Sequence, residues 1–282
     1  MKWVSVRAAG VARYGLLTDT GVAPVGALFA ARYPDLKSVL VAGVVEDAAV
    51  AARANPQLLE PGSFTFDPVI PSPGKIICVG VNYLGHIREM GREKPSHPTL
   101  FIRFADTVVG SGEALVAPRL SEQYDYEGEL AVVIGRSARH LSRDQALTCV
   151  AGWSCFMDGS VRDFQNHTTQ FTAGKNFPRS GAFGPCLVTI DELPDPSKLE
   201  LETRLNDQVM QQAPVSDLCF DVPSLVSYLS GAMQLEPGDV IITGTPSGVG
   251  FARKPPVFLK PGDQLEVKIS GIGVLRNHVV AE

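Results

Sequence analysis

The stretch YDYEGELAVVIG, Tyr124 to Gly135, constrains this chain more than any other. Its second half, AVVI, reads as a buried β-strand, while its first half places Asp125, Glu127 and Glu129 at alternate positions. Strand side chains alternate between two faces, so the three acids share a face with Ala131 and Val133. Tyr126, Gly128, Leu130, Val132 and Ile134 take the other. In a strand the two glutamates stand roughly 7 Å apart at Cα and converge on one point. Unpaired, they repel one another and lose hydration, so the pattern calls for something cationic. The same spacing also fits an exposed strand end whose acids are solvated or paired with arginine. Gly128, between the glutamates, predicts a close approach by another segment on the opposite face.

Composition narrows the partners. The 282 residues suit one large domain or a large one plus a small one, and 45% apolar with 20% charged residues is ordinary for a globular chain with a sizeable core. A net charge of −5 without a Lys/Arg block argues against nucleic acid or an anionic membrane as partner. No apolar run reaches transmembrane length, and MKWVSVRAAG lacks the apolar stretch of a signal peptide. Cys78, Cys149, Cys155, Cys186 and Cys219 are odd in number and scattered, which fits free thiols in a reducing cytoplasm.

The first sixty or so residues read as short strands (Lys2–Arg7, Tyr14–Thr18, Gly21–Val25) followed by helix, with VEDAAVAARA at Val45–Ala54 rich in helix formers. Pro61, Pro68, Pro71 and Pro73 then mark a boundary near residue 70, dividing a small N-terminal α+β domain (1–70) from a larger one (71–282). KIICVGV is a short buried strand, and NYLGHIREMGREK a short helix ended by Gly91. Further strand signals are TLFIRF, ELAVVIG, CLVTI, LELETRLN, DVIITG, VFL, QLEVKIS and GVLRNHVVAE. Helices are expected over Ser142–Ala151, after an N-cap serine, and over Pro223–Met233, after Asp221. Strands and helices do not alternate regularly, so the expected class is a strand-dominated α+β fold rather than a doubly wound parallel sheet.

Several polar residues have the chemistry of a site. Asp158, ending the apolar run GWSCFM, is placed to join Glu127 and Glu129. Three carboxylates without Cys or His make a hard oxygen site suited to Mg²⁺, Mn²⁺ or Ca²⁺ rather than Zn²⁺. His86 and Glu89 share a helical face at i, i+3, where a carboxylate can orient an imidazole as a general base; the same pair also fits a solvated surface. Lys175, in TAGKNFPRSG, is on its own a loop lysine. GTPSGVG, Gly244–Gly250, lacks the GK[ST] of a P-loop, yet its amides and Thr245 suit a substrate carboxylate; a plain Gly/Pro turn fits equally.

The order of these segments carries more than any one of them. NYxxHxxEM, DYExEL, MDxSxRDxQ, QxxxGKxF and GDVIxTGTPxGVG, in that sequence, resemble the fumarylacetoacetate hydrolase family from about Gly74 onward, with its acylpyruvate hydrolase and oxaloacetate decarboxylase-like members. The resemblance implies a β-roll of packed mixed sheets with a small N-terminal domain, normally a homodimer. It implies a divalent cation, Mg²⁺ or Mn²⁺, on Glu127, Glu129 and Asp158. His86 and Glu89 then activate water, Lys175 supports the substrate oxygens, and Tyr83, Arg162, Gln165 and Thr245 lie at or beside substrate-contacting positions. Asp125 becomes an outer or sheet-edge residue. The implied reaction is hydrolysis of a C–C bond in a 1,3-diketo, acylpyruvate-like acid to a carboxylic acid and a 2-oxo acid. Decarboxylation of oxaloacetate-like acids, or a hydratase or isomerase reaction on an unsaturated 2-oxo acid, is the alternative on the same site. Two departures from the family pattern, Val81 before the NY pair and Pro178 after GKNF, bear on substrate identity.

Overall fold

The computed structural model describes residues 1–91 and 93–282. Among these, the strands form three sheets. The largest runs, in spatial order, through Gly21–Pro24, Val11–Thr18, Lys2–Ala8, Gly181–Thr189, Val150–Met157, Gly128–Ile134, Val240–Ile242, Ile76–Gly80 and Thr99–Arg103. Phe64–Phe66 pairs Lys2–Ala8, and Val108–Val109 pairs Gly181–Thr189. The second sheet is ordered Gln208–Pro214, Glu200–Leu205, Gln264–Ile269, Gly273–Ala281, Ala114–Ala117. Neighbours are mainly antiparallel, in keeping with the irregular alternation of strands and helices along the chain.

The strand Gly128–Ile134 is buried along its whole length because both its faces are covered. Leu130, Val132 and Ile134 join a core with Leu201, Leu265 and Val267 of the second sheet. Ala131 and Val133 join the other core, with Leu36, Val39 and Ala48 of the N-terminal helices. Each fully buried large aliphatic side chain contributes about 1.5–3 kcal/mol, so the AVVI run anchors both layers. Gly128 allows the layers to meet: a Cβ there would lie 2.0 Å from Thr203 Oγ1 and 3.2 Å from a Val267 methyl. The close approach expected on the face opposite the glutamates is present.

The N-terminal strands do not stand apart, since Lys2–Ala8 hydrogen bonds to Gly181–Thr189 and extends the large sheet. Helices follow at Ala27–Arg32, Leu36–Ala42 and Val45–Ala54, the second opened by a reciprocal Asp35–Ser38 capping box.

Four local expectations differ. Phe64–Phe66 forms a strand inside the proline-rich segment because Pro61 and Pro68 flank it rather than interrupt it. VFL has no regular structure, although Leu259 N donates to Tyr124 O. The helix expected over Ser142–Ala151 is a 3₁₀ turn, Arg143–Cys149, because Val150 and Ala151 begin the strand Val150–Met157. Gln208–Pro214 is a strand that its polar run, QVMQQAP, conceals.

Candidate active site

Two neighbouring strands, Gly128–Ile134 and Val150–Met157, leave the large sheet together and pair again outside it. Their continuations Tyr124–Asp125 and Ser160–Val161 make a separate two-stranded ribbon. Glu127 and Asp158 sit at this crossover, joined by Asp158 N donating to Glu127 O at 2.8 Å. Glu129 lies one turn of the pleat further in. One oxygen from each of Glu127, Glu129 and Asp158 lies within 4.8 Å of the others, and all three side chains are buried.

The triad is embedded in cations of unequal reach. Lys175 Nζ donates at 2.5 Å to both Glu127 Oε2 and Asp158 Oδ2. Arg162 Nη2 bonds Glu127 Oε1 at 2.6 Å, while its Nε bonds Asp125 Oδ2 at 2.8 Å. Burial raises the Glu127 carboxyl, but Arg162 and Lys175 overcome it and hold the group well below the usual carboxylate range. Burial similarly lowers Lys175, and Asp158 and Glu127 more than restore it. Glu129 is different. Its Oε2 accepts from Gly244 N, and among the described residues it has no ion pair. Burial, then the charges of Asp158 and Glu127, push its carboxyl well above the ordinary range. A buried carboxyl that lacks a cation, beside two carboxyl groups that Lys175 bridges, is the shape of an oxygen-rich divalent cation site, and the donor set fits one.

His86 and Glu89 lie on the helix Leu84–Glu89. His86 Nδ1 is 2.9 Å from Glu89 Oε2, and Glu89 Oε1 accepts from Gly248 N at 2.9 Å. Burial acts to raise Glu89, but the His86 contact and the Gly248 amide lower it on balance. With Nδ1 engaged, Nε2 of His86 is left for the cavity that the ring lines. That cavity also receives Glu127, Glu129, Asp158, Arg162, Gln165, Lys175 and Thr245, with Phe101 and Phe171 as apolar wall. Val81 is at its rim with φ of +56°, strained for a β-branched residue.

Three positions behave differently from expectation. Tyr83 is 1% exposed and does not line the cavity; its hydroxyl is buried without a partner among the described residues. Thr245 does line it, but its hydroxyl donates to Gly128 O and accepts from Gln211 Nε2, so no proton is left for a substrate. The GTPSGVG amides do grip carboxylates, but the protein's own: Gly244 N holds Glu129, Gly248 N holds Glu89, and Gly250 N with Phe251 N holds Asp125. Asp125 is thus wholly buried behind the triad, braced by Arg162 and these amides.

Two residues escaped the sequence reading. Arg103, fully buried, donates to Asp158 Oδ1, Gly159 O and Ser180 Oγ, fixing the turn that carries Asp158. The one available signal was parity, since it shares a strand face with buried Phe101. Gln211 Oε1 takes the N–H of Gly128 at 3.0 Å and its amide group holds Thr245, a role that no local pattern announces.

A family model described as fumarylacetoacetate (FAA) hydrolase C-terminal matches residues 75–280. The human mitochondrial oxaloacetate tautomerase FAHD2A is 39% identical over 232 residues, which cover 82% of this chain and 74% of that protein. The oxaloacetate tautomerase YisK of Bacillus subtilis is 42% identical over 214 residues, 74% of this chain and 71% of that protein. Among solved structures, the fumarylacetoacetate hydrolase of Exiguobacterium antarcticum is 36% identical with a TM-score of 0.87, each chain covered in full at 100%. The crossover acids, the His86–Glu89 pair, Lys175 and the amide loop all fall inside the matched span, and the chain belongs to the fumarylacetoacetate hydrolase family.

Proposed function

We propose that this protein is a divalent-cation-dependent enzyme that interconverts the keto and enol forms of a small 2-oxo dicarboxylic acid of the oxaloacetate class. The observation that carries the reading is the His86–Glu89 pair. It is an imidazole with one nitrogen held at 2.9 Å, its ring lining a cavity that the buried acid triad also lines. Proton transfer needs that much and no more, whereas hydrolysis also needs a water positioned on a second carbonyl. The names of relatives 39% and 42% identical point the same way, toward the proton-moving alternative rather than the C–C hydrolysis put first from the sequence.

Glu127, Glu129 and Asp158 would hold the cation, and Mg²⁺ or Mn²⁺ suits their oxygen donors. A cation there supplies the positive charge that makes the carbon beside the 2-oxo group acidic. His86 Nε2 takes a proton from that carbon, and Glu89 stabilises the imidazolium that results. Lys175, between Glu127 and Asp158, adds positive charge near the developing enolate oxygen. Return of the proton to oxygen completes the enol, and the reverse order gives the keto form. Gln165 accepts from Arg162 Nη1 through its carbonyl, which leaves its NH₂ group to orient a substrate carboxylate.

The test is to follow enol-oxaloacetate absorbance with Mg²⁺ or Mn²⁺ present and to identify products by mass. Acceleration of the exchange is expected, and His86→Ala should reduce it by about 100-fold or more while leaving cation affinity intact. Cleavage of acylpyruvates without any acceleration of oxaloacetate exchange would replace this reading with the hydrolase.

A further inference from the structure

The His86–Glu89 pair is only as fixed as the amide it leans on. Glu89 Oε1 is held by Gly248 N, so the question is what holds Gly248. Its φ is +102°, and a Cβ would lie 2.1 Å from Met210 O, so only glycine fits. Glycine brings backbone freedom with it, and a free Gly248 would let its N–H wander from Glu89. Four hydrogen bonds remove that freedom. Arg253 Nε donates to Gly248 O at 3.2 Å and to Tyr126 Oη at 3.0 Å. Tyr126 Oη in turn donates to Gly248 O at 3.1 Å, and Arg253 Nη2 donates to Met210 O at 2.7 Å. Among the described residues Arg253 has no ion pair; its guanidinium works on two carbonyls and a phenol. Tyr126 stands between Asp125 and Glu127, so the clamp also ties the amide loop to the crossover that carries the acid triad.

From this chain of contacts we infer that Arg253 is a positioning residue for proton transfer: it locks the Gly248 backbone, which presents the amide that orients Glu89 and, through it, His86. The inference rests on the proposed role of His86 and Glu89. The groups facing Glu89 are His86 on its own helix, the Gly248 amide and the charge of Arg253; Glu89 in turn bears on Tyr126. Burial raises Glu89, and those three groups lower it. Loss of the Arg253 charge therefore moves Glu89 upward and favours the protonated form of the hydrogen-bonded His86–Glu89 pair, so the acid limb of activity, which requires the pair free to accept a proton, moves to higher pH.

The experiment uses the full chain with Mn²⁺ and compares Arg253→Met, Arg253→Lys, Glu89→Gln and the Glu89→Gln/Arg253→Met double variant. Arg253→Met should lower kcat for oxaloacetate keto–enol exchange by about 10-fold to 100-fold, with KM and calorimetric Mn²⁺ affinity within about twofold of wild type. The acid limb of its pH profile should move to higher pH, and Arg253→Lys should recover part of the loss. In the Glu89→Gln background, Arg253→Met should add no further loss, because the pathway it serves is already cut. An equal loss in both backgrounds, or a loss accompanied by weakened Mn²⁺ binding and an unmoved acid limb, overturns the inference in favour of a merely structural arginine. If Glu89→Gln lowers kcat while Arg253→Met does not, the inference alone fails. If Glu89→Gln leaves kcat unchanged, the proton-transfer reading fails first and takes the inference with it.

Discussion

Replacing Glu129 with glutamine should make the cation-free protein more stable and the cation-loaded protein less so. Glu129 faces Glu127 and Asp158 with ligand oxygens within 4.8 Å. At an effective dielectric near 20, like charges at that separation repel by about 3 kcal/mol. Two such repulsions act on an ionised Glu129, the same charges that push its carboxyl upward, and the Lys175 ammonium, bonded to both neighbours, offsets about one of them; the figures therefore hold at a pH where Glu129 is ionised. Glutamine keeps the shape and still accepts from Gly244 N, but an uncharged acceptor weakens that bond by about 1 kcal/mol. The net gain without cation is then about 1–2 kcal/mol, and with roughly 2–4 °C per kcal/mol the melting temperature in EDTA should rise by about 2–8 °C. With a cation at about 100 times its dissociation constant, wild type gains about 2.7 kcal/mol and the variant, lacking one anionic ligand, gains far less. The order of the two melting temperatures should therefore invert when EDTA is exchanged for Mn²⁺. Differential scanning fluorimetry at one fixed pH reads both. A variant that melts lower in EDTA, or that Mn²⁺ stabilises as much as wild type, would refute the idea that Glu129 is a buried charge in want of a cation.

Gly128→Ala should cost about 1–3 kcal/mol through overpacking, since its methyl meets Thr203 Oγ1 at 2.0 Å; chemical denaturation gives the loss, and an unchanged midpoint would mean the sheets are not locked together there. Arg162→Met should be harsher, about 3–5 kcal/mol, because it leaves Asp125 and Glu127 buried without their shared cation. Part of that loss should return at low pH as the stranded carboxylates protonate, which a pH series of unfolding curves will reveal; a loss that is flat in pH would mean packing, not charge, is what Arg162 supplies.

What the sequence made legible was whatever followed from periodicity. Alternation placed Leu130, Val132 and Ile134 against one layer and Ala131 and Val133 against another, and the two cores divide in that way. Alternation also put Asp125, Glu127 and Glu129 on one face, and there it stopped being sufficient. The strand breaks at Tyr126 and Glu127, and Asp125 turns into a different ribbon. The cause is long-range: the N–H of Gly128 is taken by Gln211 from the second sheet, and Asp158 N takes Glu127 O from the neighbouring strand. No window of residues around position 127 contains either partner. Arg103 was hidden for a related reason. In TLFIRF both strand faces carry apolar residues, so parity put Arg103 beside Phe101 but could not say that this face, rather than the one with Leu100 and Ile102, is the buried one.

The loop GTPSGVG illustrates how a feature can be read correctly in kind and wrongly in object. Glycine-rich amides after a strand are anion holders, and a substrate carboxylate was the natural guest. In the fold the anions are Glu129, Glu89 and Asp125, one from the acid triad, one from the proposed proton-transfer pair and one from the bracing behind them. A substrate held by this loop would have to displace one of them and would dismantle the site it came to use. The loop therefore acts on the reaction by setting distances: it holds Glu129 toward the other two acids and Glu89 behind His86 from a single rigid backbone. Glycines at 244 and 248, with φ of +108° and +102°, are what let successive amides turn toward carboxylates on different elements. A side chain at either position would tilt two anchors at once, so damage there should appear in cation affinity and in proton transfer together, whereas damage at His86 should appear in proton transfer alone.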